Sequence, residues 1–187
     1  MKSILLATAL TTVFATAALA DETIQTGHFR TVELRGGGHV TLHNGGDQRV
    51  VLQKGSTQHT SFRIEDGDKL VIDACNNSCP SGNYDLQIDI ATPSISGVAI
   101  SGGGEIDGSA DLSAPHLSAA VEGGGRIDMR AVHADTANAA VNGGGRINLS
   151  VASRLNAAVN GGGLIQYWGN PKTSTAISGG GDVRQGN

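Results

Sequence analysis

The sequence predicts an all-β chain: a single-stranded parallel β-helix or β-prism of stacked 18–21-residue coils, with an N-terminal capping part rich in β-hairpins. Three observations predict it. Six Gly triplets begin at Gly36, Gly102, Gly123, Gly143, Gly161 and Gly179, and the last five recur at steps of 21, 20, 18 and 18. A period near twenty marks a repeat architecture. Aliphatic residues flank each triplet two positions away on both sides: Leu34 and Val40, Ile100 and Ile106, Val121 and Ile127, Val141 and Ile147, Val159 and Ile165, Ile177 and Val183. Between them the pattern alternates apolar and polar, the mark of a half-buried strand, and no 3.6-residue period runs through the repeats.

Taken from the start, residues 1–20 read as a secretory signal peptide. Lys2 supplies the positive end, Ile4 to Ala18 is apolar or small, and Ala18-Leu19-Ala20 is a small-x-small cleavage site. No Cys follows that site, which disfavours a lipid anchor, and no later apolar run is long enough to span a bilayer as a helix. Cleavage leaves 167 residues, enough for one domain with a core, carrying 12 basic and 17 acidic side chains. The net negative charge and the lack of a basic patch exclude nucleic acid as an expected partner.

Residues 21–92 alternate as β-strands around His39–His43, Val50–Gln53, Ser61–Glu65, Leu70–Asp73 and Tyr84–Ile90. Asn44-Gly45-Gly46-Asp47 and Glu65-Asp66-Gly67-Asp68 supply turn chemistry between them. This part is expected to form hairpins and the first coils, continuous with the repeat of residues 93–187, so that 21–187 is one domain. Such a cap shields strand edges that invite aggregation. One repeat unit cannot bury its own apolar face, so each aliphatic is expected to sit over its counterpart about 4.8 Å away, the inter-strand spacing.

The register then predicts outward columns. Glu105 lies beside Arg126, and Arg126 beside Arg146. Glu122, Asn142 and Asn160 form a second column, with an amide ladder expected at Asn142 and Asn160. Asp107, Asp128 and Asn148 form a third. The glycines Gly102-Gly103-Gly104, Gly123-Gly124-Gly125, Gly143-Gly144-Gly145 and Gly161-Gly162-Gly163 are read as a structural corner that permits positive φ and close backbone approach, in preference to a ligand groove.

Candidate chemistry is sparse. Cys75 and Cys79 read as a structural disulfide of an exported protein; further zinc ligands at the usual spacing and the two-residue spacer of a redox pair are both missing. Calcium-binding β-rolls repeat Gly-Gly-x-Gly-x-Asp, but Glu105, Arg126, Arg146, Leu164 and Asp182 stand where the later Gly belongs. His39 and His43 share a strand face and can begin a metal site, but read more simply as exposed histidines. No metal and no cofactor are therefore expected. Tyr167 and Trp168 must point to opposite sides of a strand, so one covers the core and the other is exposed. Trp168, Tyr167, Arg126 and Arg146 are the surface binding candidates.

The run from Phe29 through Arg35-Gly36-Gly37-Gly38-His39-Val40, then Asp66-Gly67-Asp68-Lys69-Leu70-Val71-Ile72, Asp89-Ile90-Ala91-Thr92-Pro93 and Ile100-Ser101-Gly102-Gly103-Gly104-Glu105-Ile106 resembles the auto-transporter adhesin head GIN domain family. The resemblance covers about residues 26 to 184. It implies a β-helical exported protein of the bacterial envelope, periplasmic or at the cell surface, and carries no catalytic residues. The chain departs from it in its consistent Gly-Gly-Gly, where relatives have another small residue in the middle, and in its cysteine pair. The expected function is a non-enzymatic, adhesin-like binding module for an envelope or extracellular ligand, glycan or protein. A structural or stress-related envelope protein is the alternative. A polysaccharide lyase or hydrolase using Asp107, Asp128, Arg126 and Arg146 is more distant.

Overall fold

The computed structural model describes residues 21–75, 79 and 84–187. The signal-peptide reading falls on residues 1–20, outside them. The described residues are all-β: fifteen strands joined in one hydrogen-bonded sheet. They are β1 (Glu22–Ile24), β2 (Thr31–Gly36), β3 (His39–Asn44), β4 (Arg49–Lys54), β5 (Thr60–Glu65), β6 (Lys69–Ala74), β7 (Gln87–Thr92), β8 (Gly97–Gly102), β9 (Glu105–Gly108), β10 (His116–Gly123), β11 (Arg126–Gly143), β12 (Arg146–Gly161), β13 (Leu164–Trp168), β14 (Lys172–Ser178) and β15 (Asp182–Gln185). No helix among them is long and apolar enough to cross a membrane.

Two parallel ladders run side by side, one before and one after the Gly triplets. The ladder before them joins β6, β2, β8, β10, β11, β12 and β14, with Leu34, Ile100, Val121, Val141, Val159 and Ile177 in one row. The ladder after them joins β7, β3, β9, β11, β12, β13 and β15, with Val40, Ile106, Ile127, Ile147, Ile165 and Val183 in one row. These rows form the core, and every member up to Val159 and Ile165 is essentially buried. Ile177, in the last strand of its ladder, is 48 % exposed.

Both ladders keep strict register through the repeats, so the shortening from 21 to 18 residues falls on the segment between them. That segment covers residues 109–115, then 131–135, 151–153 and 169–171. It adds a third inward set, Leu112 and Ala114, then Val132 and Ala134, then Val151, all buried. The last of these segments, Gly169-Asn170-Pro171, has no aliphatic.

The N-terminal part departs from sequence order. β6 and β7 stack on the outer side of β2 and β3, while β8 and β9 stack on the inner side. Beyond them, β5 pairs antiparallel with β6, and β4 with β7, with β1 on β4. Where the triplet would turn this outer layer, the chain instead inserts residues 75–86. Their ends are Cys75, at φ 72°, and Leu86, which packs beside Gly38. Cys75 and Cys79 form a disulfide with Cα atoms 5.1 Å apart. The strand expected over Tyr84–Ile90 begins at Gln87. Tyr84 instead turns its hydroxyl to the Ser56 amide at 2.7 Å and to Thr60 Oγ1 at 2.9 Å.

The triplets divide their labour by position. Gly143, at φ 123°, would place a Cβ 2.6 Å from the Gly123 carbonyl oxygen, and Gly145 would drive one into Val121 and the Gly125 carbonyl. Gly144 faces open space. The same three environments recur at Gly123-Gly124-Gly125 and Gly161-Gly162-Gly163. The first and third positions therefore demand glycine, and the middle one does not.

Candidate functional site

The predicted outward columns exist. Past the triplets, His39, Glu105, Arg126, Arg146, Leu164 and Asp182 share one row. Thr41, Asp107, Asp128, Asn148, Gln166 and Arg184 share the next. Because strand residues alternate sides, these rows flank the buried Ile106–Ile127–Ile147 row and face away from it.

Asp128 organises this face. Arg126 Nη2 donates to its Oδ2 at 2.6 Å, and Arg130 grips both oxygens at 2.7–3.0 Å. The Arg130 amide donates to Oδ1 at 3.2 Å, and Asn148 Nδ2 to Oδ2 at 3.2 Å. Burial alone pushes the carboxyl up, but the hydrogen bonds from Arg130 and Arg126 outweigh it and hold its pKa at about 2. Arg126 also reaches Glu105, Nε to Oε1 at 3.2 Å, an ion pair by distance whose angle falls short of a hydrogen bond. Arg126, set beside Arg146 by the register, turns instead to these two carboxylates. Asn148 Oδ1 is buried without a hydrogen-bond partner among the described residues.

Asp107, one repeat back, lies in a different field. Burial and the neighbouring Glu105 raise its pKa, and Asp128 adds to the effect. Its ion-pair partner among the described residues is His39, Nε2 to Oδ2 at 3.4 Å, while His39 Nδ1 lies 3.6 Å from Glu105 Oε2. His43 turns instead to Asp89 at 3.3 Å.

Arg130 also lies over the Trp168 ring, 5.4 Å from its centroid, within cation–π range. Glu105, Asp107, Arg126, Asp128, Arg130 and Trp168 together line an open groove of about 780 Å³. Of the four binding candidates, the structure brings Trp168 and Arg126 together. Tyr167 packs against the core, and Arg146 stands exposed beside Arg126 outside the groove lining. Arg130 and the convergence of His39 on Asp107 were not among the sequence candidates. The second was legible in principle, since His39 and Glu105 each follow a triplet directly.

Of the four residues named for a lyase, Asp107, Arg126 and Asp128 line this groove and Arg146 stands outside it. Elsewhere the outward charges are interleaved. Arg35, Arg63 and Lys69 pair with Glu33, Glu65, Asp66 and Asp73 on β2, β5 and β6 and in the turn between the last two. Such half-buried surface pairs are each worth about 1 kcal/mol or less.

The family described as "putative auto-transporter adhesin, head GIN domain" matches residues 28–130 and 113–171. A comparison with curated proteins returns no match. Among solved structures, the chain is similar to a putative adhesin from Bacteroides fragilis, with 16% identity, a TM-score of 0.52, and 91% of this chain and 98% of that chain covered. It also matches a putative adhesin from Parabacteroides distasonis at 13% identity and a TM-score of 0.42, covering 91% of this chain and 98% of that one. The first likeness agrees with the fold described above, and the matched residues span most of the molecule. The chain belongs to the auto-transporter adhesin head GIN domain family.

Proposed function

We propose that this protein is an exported, non-enzymatic binding module of the bacterial cell envelope, and that it holds an extracellular glycan in the groove beside Trp168. The observation that carries this reading is the juxtaposition of an indole ring, two arginines and three carboxylates in one open groove. The carboxylates and guanidinium groups would bond the hydroxyls of a sugar, and the part of the indole that Arg130 and Gly186 leave open would meet its apolar side. Trp and Arg are also the residues that most often dominate binding energy. Membership of an adhesin-named family supports the envelope setting. The accompanying architectural reading is a parallel β-helix in which the two strict ladders are sides of the coil and the variable segment is the third.

The test is a glycan array followed by calorimetry on residues 21–187. Saturable binding is expected, weakened about tenfold or more by Trp168→Ala. An array without hits, or hits indifferent to Trp168→Ala, would leave the structural reading of this envelope protein standing instead.

A further inference from the structure

We propose that His39, Glu105 and Asp107 form a binding site for a divalent transition metal of the zinc type, at the edge of the groove where β3 meets β9. The three side chains each present one ligand atom, and these atoms lie within 4.8 Å of one another. Zinc binds imidazole nitrogen and carboxylate oxygen at about 2.0–2.2 Å. Closing the three atoms onto an ion therefore takes side-chain rotations of about an ångström. The side chains are 37–40% exposed, so they have room to make them.

Three independent features favour the site. First, its ligands sit on paired parallel strands, His39 opposite Glu105 and Thr41 opposite Asp107. The backbone positions are fixed before any ion arrives. Second, Glu105 is held from outside: Arg126 lies at its Oε1, leaving Oε2 free to swing from His39 Nδ1, which it faces at 3.6 Å, toward an ion on the Nε2 that faces Asp107. Such outer partners aim ligands in metal sites. Third, the charge is unbalanced. Asp128 has two guanidinium groups bonded to it, whereas Asp107 has neither Arg nor Lys in an ion pair among the described residues. A cation at Asp107 would do what Arg126 and Arg130 do one coil on. Imidazole in the ligand set favours zinc, nickel or copper over calcium, which prefers an all-oxygen shell. The site arises once, because in the next coil Arg126 replaces the position of Glu105. It does not rest on the glycan reading.

The test is calorimetric titration of chelator-treated protein with zinc chloride at neutral pH. Saturable one-to-one binding is expected, weakened about tenfold or more by His39→Ala and by Asp107→Asn and unchanged by His43→Ala. Both ligand variants lie at exposed outward positions, and circular dichroism checks that they fold. Absence of saturable binding, equal binding in Asp107→Asn, loss with His43→Ala, or displacement of zinc by equimolar calcium would each overturn the proposal.

Discussion

The two outward faces of the stack share a backbone but not a chemistry. Before each triplet, β10, β11, β12 and β14 present Ser118, Asn138, Asn156 and Ser174 in one row and Ala120, Ala140, Ala158 and Ala176 in the next. After each triplet, β3, β9 and β11 present His39, Glu105 and Arg126, then Thr41, Asp107 and Asp128. The inward rows are aliphatic on both sides and buried up to Val159 and Ile165. The difference therefore owes nothing to the fold. It shows that the inward residues and the glycines specify the stack, and that the outward residues are free to specialise. Within β10 to β14 the face before the triplets stays uncharged at these rows, and its charges gather on β2 and β6, where they pair with one another.

The glycine corner joins the two faces, so breaking it should have the largest effect. Gly143→Ala combines a positive φ with a contact on the Gly123 carbonyl, and should cost about 2–4 kcal/mol in denaturant unfolding. Gly144→Ala, one residue away in open space, should stay within about 0.5 kcal/mol. Next in size is Asp128→Asn, which takes a charged acceptor from two guanidinium groups. It should cost about 1–3 kcal/mol near neutral pH. The pH dependence has a definite sign. The folded pKa of Asp128 is depressed, so its contribution is complete above about pH 4 and is lost as pH falls toward about 2. Acid unfolding of the asparagine variant should lack that component.

Much of this was legible in the sequence, because a repeat aligns itself. Placing the triplets under one another puts Glu105 beside Arg126 and Val121 beside Val141, as the ladders do. What the repeat did not mark was not legible. The layer of β6 and β7 has no triplet, so nothing in its spacing tells that it lies outside β2 and β3. The expected amide ladder at Asn142 and Asn160 is in register, but the amide hydrogen bond runs from Asn156 Nδ2 to Asn138 Oδ1 at 2.9 Å, two alternations earlier. Register fixes which residues are neighbours, while rotamers decide which neighbours bond. Arg130 was missed for that reason: it reaches back two residues along its own strand to Asp128, a contact that no comparison between repeats reveals.

The smaller effects separate a poised charge from a neutral surface. In metal-free protein Asp107→Asn should be neutral or slightly stabilising at pH 7, by less than about 1 kcal/mol, since a half-exposed carboxylate is screened by solvent. Its pKa is raised by burial and by Glu105, so ionising it costs stability above that value and the cost is relieved as pH falls. With saturating zinc the order should reverse, because only the wild-type carboxylate ligates. Asn156→Ala is the matching change on the plain face. It removes one exposed amide bond to Asn138 and should shift stability by about 0.5 kcal/mol or less, with no dependence on pH or zinc. If Asn156→Ala responded to zinc, the assignment of the two faces would fail, since the metal would then be acting on the stack as a whole. If only Asp107→Asn responds, the chemistry belongs to the face where three carboxylates meet two arginines.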